Sequence, residues 1–367
     1  MKIRATFLIC VFCGFLALTA AGYIFLPKAA FSPNEKKMLA ERPALSLDTL
    51  ADGSFAAKAE EWFEDHVPAR EALVGINARS LMLLGQNGLN GVIRAGDRLV
   101  GAPEELNADA LRAACAKISA FAEKTGLPAA VMPVPEAGYM LSELLPNLHY
   151  AYHDAEAIDI LRASLDAGTE YIDASEALTA LGERAYYRTD HHLTSAGCYA
   201  LAGLYAEALG RTMPDSGKYI RAVYPGFYGS MYSRSGLWNM PPDEIELWSS
   251  GLDVTVTLEG TQTQQGVFYL SHLKEMDKYP VFLDGNHGLV TIDTGRTGGE
   301  TLLLVRDSFG HCFGPFMAEL FDRVILVDLR YYHSSVSALA EREGVDRVLF
   351  LMGMDTLMAG GSFSFLR

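Results

Sequence analysis

The sequence predicts an α/β protein whose parallel β-sheet is covered by helices on both faces. Short, almost continuously apolar segments alternate along the chain with segments of helical periodicity. Such segments are typical of strands that are buried on both sides of a sheet. Half of the 367 residues are hydrophobic and a fifth are charged. This composition can fill a large core and excludes a disordered or collagen-like chain.

The N-terminus predicts a membrane segment. Lys2 and Arg4 precede an uncharged run over residues 5–26, which is followed within two residues by Lys28. A helix of this length extends roughly 33 Å, enough to cross a bilayer. The small residues Thr19-Ala20-Ala21 would suit cleavage of a signal peptide, but the apolar run continues beyond them. We therefore favour a retained anchor, in a single-pass protein of the cell membrane with its C-terminal domain outside the cytoplasm.

Three parts follow along the chain: the signal anchor or signal peptide (1–30), a linker and N-terminal helical segment (31–100), and an α/β domain (101–367). Helical spacing covers residues 54–84 and is broken near Pro68. Beyond residue 100 we predict helices at 108–124, 154–167, 195–209, 315–320 and 336–342, and strands at 129–134, 170–172, 301–305, 323–329 and 347–352. Residues 212–300 are rich in Tyr, Gly and Ser and predict a β-rich insertion.

The charge and the cysteines exclude several classes of protein. A net charge of -15 argues against a nucleic-acid partner and against polybasic docking on anionic lipid. Cys115, Cys198 and Cys312 are too few and too far apart for a disulfide framework or a zinc ribbon. The three cysteines could form one disulfide and leave one free thiol, or all three could be buried thiols. We expect no cofactor.

Ser308 is the predicted nucleophile. The apolar strand at 301–305 ends at a polar pair, Asp307-Ser308, which precedes Gly310 and a helix. A serine at such a strand-to-helix turn has its hydroxyl lifted above the sheet, where backbone N–H groups can receive an oxyanion. The alternative is that Asp307 and Ser308 only cap the helix.

Asp190 and His192 are the predicted orienter and general base. If the backbone is extended here, both side chains lie on one side and His191 lies on the other, behind the site. The Asp190 carboxylate could then hold the His192 ring and stabilise its protonated form. With Ser308 they supply the groups that acyl transfer through a covalent ester requires. The alternative is that these histidines lie on the surface, in a loop before a helix, and have no catalytic role.

A metal site is a less favoured alternative. The histidines available to it would be His191, His192, His311 and His333, and their spacing matches no common metal motif. We therefore predict that the site holds no metal.

The segment Thr189-Asp190-His191-His192-Leu193-Thr194 resembles the signature of the DHHW family, within the SGNH-hydrolase-like superfamily that includes bacterial alginate O-acetylation proteins. Similar blocks follow the family order at residues 52–55, 62–70, 227–236, 307–310 and 327–332. The resemblance implies a flavodoxin-like core, a permuted order with the serine late in the chain, and membrane attachment outside the cytoplasm. It also implies that Ser308, His192 and Asp190 form the triad, and that Arg330 and Tyr331 contribute to the pocket.

The sequence departs from the family pattern at two positions. Leu193 replaces the tryptophan that gives the family its name, and an aromatic residue there could shape the acyl or sugar pocket. Glu136 follows the first core strand, where we expect a polar or basic residue.

These observations predict serine-dependent O-acyl (acetyl) transfer or ester hydrolysis on a cell-surface polysaccharide, with His191, Arg330 and Tyr331 as substrate-binding candidates. The resembling alginate system implies a membrane-bound O-acyltransferase as the partner that supplies acyl groups. The alternative is a catalytically silent, membrane-tethered protein that binds glycans or acts as a scaffold.

Overall fold

The computed structural model describes residues 2–360 and 363–367, with side chains from residue 6 onward. The chain divides into two compact units, Met1–Leu89 with Tyr232–Asn239, and Asn90–Met231 with Met240–Arg367. The predicted boundaries near residues 30 and 100 stay a prediction.

The helices are α1 (Lys2–Phe25), α2 (Leu47–Ala51), α3 (Ser54–Asp65), α4 (Arg70–Leu83), α5 (Ala108–Thr125), α6 (Ala137–Met140), α7 (Asp154–Ser164), α8 (Ser175–Leu181), α9 (Ser195–Ala208), α10 (Ser230–Ser235), α11 (Gly310–Met317), α12 (Val336–Glu343) and α13 (Met354–Met358). The strands are β1 (Phe31–Ser32), β2 (Lys37–Met38), β3 (Gly88–Leu89), β4 (Val92–Ala95), β5 (Arg98–Gly101), β6 (Ala129–Val134), β7 (Thr169–Tyr171), β8 (Ile220–Phe227), β9 (Asp243–Ser249), β10 (Thr255–Leu258), β11 (Gln262–Gln265), β12 (Leu289–Asp293), β13 (Thr301–Arg306), β14 (Arg323–Asp328) and β15 (Arg347–Gly353).

The smaller unit begins with α1, whose segment Thr6–Phe25 is long and apolar enough to cross a membrane. Helices α3 and α4 follow, separated near Pro68 as the sequence predicts. Asp65, at the end of α3, accepts hydrogen bonds from the Lys37 ammonium at 2.7 Å and from the Ala40 N–H at 2.9 Å. These bonds fix the segment after α1 against the junction between α3 and α4.

The larger unit is built on a sheet of eight strands in the order β11-β10-β12-β14-β13-β15-β6-β7. The five strands from β14 to β7 are parallel. If β13, β14, β15, β6 and β7 are numbered 1 to 5, their order across the sheet is 2-1-3-4-5. This is the order of flavodoxin-like sheets. The predicted flavodoxin-like fold with a permuted order is therefore confirmed.

Helices cover both faces of this sheet, as predicted. Alternate residues of β13 face opposite sides. Leu303 and Val305 lie in a buried cluster with residues of α5, α7 and α12. Leu302 and Leu304 belong to a second cluster, which contains residues of α9 and α11. Because β13 is central and its residues 302–306 are buried, its last residues lie where two covered faces end.

The segment 212–300 is rich in β-strands, as predicted, and contains β8 to β12. Strand β12 pairs antiparallel with β14 and extends the main sheet, while β8 and β9 pair with each other. The helix expected from residue 315 begins at Gly310 instead. The Gly310 N–H donates to the Asp307 carbonyl, so the first turn forms directly after Ser308.

Candidate active site

Ser308 lies at the point in the sheet where active sites of flavodoxin-like folds are found. It follows β13, which pairs with β14 on one side and with β15 on the other. From β13 the chain goes to β14 on one side of it, and from β14 it crosses over to β15 on the other side. The order of the strands therefore reverses at the end of β13. Ligands bind beyond the carboxyl ends of strands at such a switch point. Ser308 is partly exposed there.

Asp307 builds the turn that carries Ser308. Its carboxylate accepts the Phe309 N–H at 3.0 Å, the Gly353 N–H at 2.7 Å and the Thr356 hydroxyl at 2.8 Å. These bonds tie the end of β13 to the end of β15 and to α13. Helix α11 has Phe309 as its N-cap residue and no side-chain cap, so Asp307 holds the turn before the helix rather than capping it.

Asp190 and His192 are in direct contact. The Nδ1 atom of His192 lies 2.5 Å from Asp190 Oδ1, which also accepts the His192 backbone N–H at 3.0 Å. Burial disfavours the charged form of Asp190, but the charges of His192 and His191 and the hydrogen bonds outweigh it and hold the Asp190 pKa well below its usual range. A carboxylate only accepts, so Nδ1 carries a proton and Nε2 is the basic atom of the neutral ring.

The backbone around Asp190 forms a tight loop, so the extended segment on which the placement of His191 depended is absent there. Tyr186 and Leu193 form an isolated antiparallel bridge, and the Tyr187 N–H donates to the His192 carbonyl at 3.1 Å. As a result, His191 does not lie on the opposite side from His192. The two rings are 3.8 Å apart, and His191 Nδ1 is 2.9 Å from the Ser230 hydroxyl.

Two residues that the sequence analysis missed hold this loop. The Asp243 carboxylate, at the start of β9, accepts the N–H groups of Arg188 and Thr189 at 2.7 Å and also binds the Thr189 hydroxyl. Gly229 packs so closely that a Cβ atom there would lie 2.1 Å from Asp190 Cβ. Both lie far along the chain from the loop, so its own sequence does not point to them, although Gly229 belongs to the block 227–236 that resembles the family.

Tyr279 connects the two predicted catalytic segments and was also missed. Its ring stacks on His192 at 3.8 Å with an angle of 8° between the ring planes, and its hydroxyl donates to the Ser308 carbonyl at 3.3 Å. Phe309 closes the same space, with its ring 5.5 Å from that of His192. The structure therefore brings the two segments together.

His192 Nε2 is buried and has no hydrogen-bond partner within residues 2–360 and 363–367. An orphaned basic nitrogen is costly in an interior and points to a proton donor that binds there during function. Catalytic hydrogen bonds are often long in unliganded enzymes and tighten when substrate binds. A hydrogen bond between Nε2 and the Ser308 hydroxyl stays a prediction.

Buried charged residues lie at the same edge of the sheet, where β13 and β14 end. The Arg306 guanidinium, which is fully buried, donates to Asp328 Oδ2 at 3.1 Å and lies 2.6 Å from His311 Nε2. Burial lowers the Arg306 pKa to about 10. Burial and the charge of Arg306 also hold the His311 pKa well below its usual range, so this imidazole is neutral and accepts from Arg306.

The two candidate pocket residues lie next to these charges. Arg330 binds Asp328 through two nitrogens, Nε at 2.9 Å and Nη2 at 2.6 Å, and Tyr331 is half exposed beside it. The predicted contacts of Arg330, Tyr331 and His191 with substrate stay predictions.

The two departures from the family pattern lie in different surroundings. Leu193 is buried in the core and packs against Gly197, so it fills space rather than lining a pocket. Glu136 follows β6, and its N–H donates to Asp154 at 2.8 Å. Burial and the neighbouring charge of Asp154 raise the Glu136 pKa to about 9, and burial raises that of Asp154 to about 6.

The donor atoms of Asp190, His191 and His192 lie within 4.8 Å of one another, close enough for a metal ion. However, Asp190 Oδ2 already accepts the Ser230 N–H at 2.7 Å, and the two Nδ1 atoms face Ser230 and Asp190. His311 and His333 are engaged elsewhere, with Arg306 and with the Arg330 carbonyl. These hydrogen bonds occupy several of the possible ligand atoms, and a site without metal stays a prediction.

Two models of known protein families match parts of the chain. A model of the SGNH hydrolase-like domain of the acetyltransferase AlgX matches residues 95–223, and a model of DHHW proteins matches residues 166–327. The chain resembles both. The resemblance expected from the sequence is confirmed, and the matches support a general acyl-transfer role. No curated protein sequence matches the chain significantly.

Solved structures share the fold. A DHHW family protein from Eubacterium siraeum DSM 15702 is 22% identical with a TM-score of 0.62, over 74% of this chain and 95% of that one. Bacillus cereus PatB1 is 16% identical with a TM-score of 0.64, over 74% of this chain and 98% of that one. PatB1 with a sulfonyl adduct, at 16% identity, gives a TM-score of 0.63 over 75% and 98%.

Proposed function

We propose that this chain transfers or hydrolyses O-acyl groups through an ester formed on Ser308, with His192 as general base and Asp190 as its orienter. The observation that carries the proposal is the Asp190–His192 pair, whose basic Nε2 is buried and unpartnered beside the turn of Ser308. Such a pair beside a serine is the arrangement that activates a hydroxyl for attack on a carbonyl.

The reaction has two halves. In the first, Ser308 Oγ attacks the acyl carbonyl of an ester donor while its proton passes to His192 Nε2. The tetrahedral intermediate then collapses, and the donor alcohol leaves with that proton. In the second, a sugar hydroxyl or water attacks the acyl carbonyl while its proton passes to Nε2; the ester bond to Ser308 then breaks, and Nε2 returns the proton to Ser308 Oγ. Asp190 remains ionised throughout, because its low pKa keeps it negative beside the protonated ring.

The proposed acceptor is a cell-surface polysaccharide. The match to the SGNH hydrolase-like domain of the acetyltransferase AlgX supports acetyl transfer, and the apolar helix α1 supports attachment to a membrane. The polysaccharide acceptor and the position of the α/β unit outside the cytoplasm rest on the resemblance to alginate O-acetylation proteins. Acetyl-CoA is cytoplasmic, so an enzyme in that position needs acyl groups delivered across the membrane. A membrane-bound O-acyltransferase is the partner that would supply them.

Intact-mass measurement after exposure of the full chain, in detergent, to 4-nitrophenyl acetate tests the proposal. We expect one acetyl adduct on Ser308, none in Ser308→Ala and slower acetylation in His192→Ala. Ser250→Ala, which changes an exposed serine, is the matched control and should acetylate like the wild type. The double variant of Ser308 and His192 should lose little more than either single one, because the two residues act as a unit. An adduct that persists in Ser308→Ala contradicts the proposal.

The second candidate is a silent glycan-binding or scaffold protein on the same fold. Leu193 and Glu136, the departures from the family pattern, favour it. It predicts no adduct on the folded protein and equal glycan binding by the wild type and Ser308→Ala. Transfer and hydrolysis are separated by analysing products with and without a glycan acceptor.

A further inference from the structure

Exposed apolar side chains are concentrated in one short segment of the smaller unit. Beyond residue 26, sixteen large apolar or aromatic residues of the described chain are exposed, and nine of them lie between Met38 and Leu84. Large exposed apolar patches mark sites that meet a membrane or another protein. This segment therefore needs a partner.

Helix α4 and its C-cap residue carry four of these nine exposed residues. Leu73, Ile76, Leu83 and Leu84, which recur on one side of the helix, are 44%, 57%, 88% and 80% exposed. We call these four residues the α4 stripe. The opposite side is packed, since Val74 and Ala78 would lie 3.3 and 3.0 Å from a Cβ atom at Gly236. The α4 stripe is thus on the side of the helix that the described chain leaves uncovered, where exposed Asn77 and Ser80 lie among the apolar residues.

The end of α1 fixes where α4 begins. A Cβ atom at Gly22 would lie 2.5 Å from the ring of Pro68, two residues before α4. The Ala29 carbonyl is 3.2 Å from His66 Nε2, and the Ser32 hydroxyl donates to Glu71 at 2.7 Å. These contacts hold the first turn of α4 next to the end of the helix that is long enough to cross a membrane.

The same place carries the residues that are typical of a bilayer interface. Tyr23 contacts Trp62 and Phe63, with ring centroids 6.3 and 5.3 Å away, and its hydroxyl donates to the Phe63 carbonyl at 2.6 Å. The Lys28 ammonium lies 5.1 Å from the Tyr23 ring and 5.6 Å from that of Trp62. Tyr, Trp and Lys anchor proteins at headgroup depth, where their apolar and polar parts are both satisfied.

We propose that the α4 stripe lies in the interface of the bilayer that α1 crosses, so that the protein is held by a spanning helix and an interfacial one. Lipid fits better than a protein partner because the stripe begins beside the end of α1, at the depth of the aromatic cluster. Burial of the apolar side chains drives this contact, so it does not require a net positive charge in a chain whose net charge is -15.

Fluorescence quenching by brominated lipids tests this proposal on the full chain in phosphatidylcholine vesicles. Trp62, Trp238 and Trp248 are changed to Phe, and a single tryptophan is introduced by Leu83→Trp or Ile76→Trp. The control carries Glu123→Trp, at an exposed position of α5. We expect bromines near the headgroup end of the acyl chain to remove most of the emission in both stripe variants and little in the control. A variant with Trp62 alone should also be quenched.

Stripe variants that are quenched no more than the Glu123→Trp control would overturn the proposal. If their emission then changes with the ratio of protein to lipid, a second copy covers the stripe instead. Circular dichroism of each variant shows that the chain is folded, and the Trp62 reporter, which leaves the stripe unchanged, keeps the test valid if a stripe variant fails to fold.

Discussion

Asp190 keeps its position because the chain beside it has no side chain at Gly229. A Cβ atom there would lie 2.1 Å from Asp190 Cβ and 2.5 Å from Oδ2. We expect Gly229→Ala to displace Asp190 and to destabilise the fold by about 1–3 kcal/mol, as overpacking does. Denaturant unfolding of the full chain in detergent measures the stability, and acetylation of Ser308 measures the site.

A matched substitution separates this effect from the general one of adding a methyl group. Gly203 lies inside α9, and a Cβ atom there would have nothing within 4 Å. Gly203→Ala should stabilise the protein by about 0.5–1 kcal/mol, because alanine is the better helix former. Equal effects of the two substitutions would contradict the close packing at Asp190.

Glu136 should make stability depend on pH. Its pKa is raised from 4.5 to about 9, so the folded chain keeps a proton that the unfolded chain loses above about pH 4.5. Stability therefore falls as the pH rises between these values, by at most about 1.4 kcal/mol per pH unit. Glu136→Gln stays neutral and should be more stable than the wild type at pH 8, with little difference at pH 4.

Unfolding curves at several pH values measure this difference. Glu143→Gln, an exposed change in the same stretch of chain, serves as the control and should follow the wild type at every pH. If Glu136→Gln and the wild type lose stability in parallel between pH 4 and pH 8, Glu136 is not held neutral in the folded protein.

The adjacent strands β13 and β14 are joined at their carboxyl ends by a buried ion pair. Asp328 accepts from Arg306 and from two nitrogens of Arg330, and both Asp328 and Arg306 are buried. Asp328→Ala leaves the Arg306 charge without its carboxylate, so we expect a loss of about 3–5 kcal/mol.

An exposed ion pair of the same types provides the comparison. Asp109 lies 3.1 Å from Arg112 on the surface of α5, where its side chain is 98% exposed. Asp109→Ala should change stability by less than about 1 kcal/mol. Similar unfolding midpoints for Asp328→Ala and Asp109→Ala would show that the strand ends do not depend on the buried pair.

Elements with strong local signals could be predicted from the sequence, and elements set by distant contacts could not. Strand β6 has the predicted bounds and α5 begins at the predicted residue 108, where Asn107 caps it, because apolar pattern and capping are local. The sequence left open whether the segment around Asp190 is extended. It turns because Asp243 and Ser230 bind it, and the sequence does not show which segments meet.

The same limit applies to the site across the whole molecule. Asp190 and His192 are two residues apart, so the sequence could pair them. Ser308 could be placed at a strand end. Tyr279 could not be found, because it belongs to a loop between β11 and β12, and only the antiparallel extension of the sheet brings that loop to the site. The order of the strands in the sheet therefore determines that Tyr279 stacks on His192.

Through Tyr279, the antiparallel extension of the sheet contributes a side chain to the proposed active site. Its ring lies flat against His192, so we expect Tyr279→Ala to free the imidazole and to slow acetylation of Ser308 by roughly two- to tenfold, the value of one aromatic contact. Tyr279→Phe keeps the ring and loses only the hydrogen bond to the Ser308 carbonyl, so its loss should be smaller. Acetylation rates, measured on variants whose unfolding curves show a folded site, test this order. If Tyr279→Phe is as slow as Tyr279→Ala, the hydroxyl rather than the stacked ring positions the site.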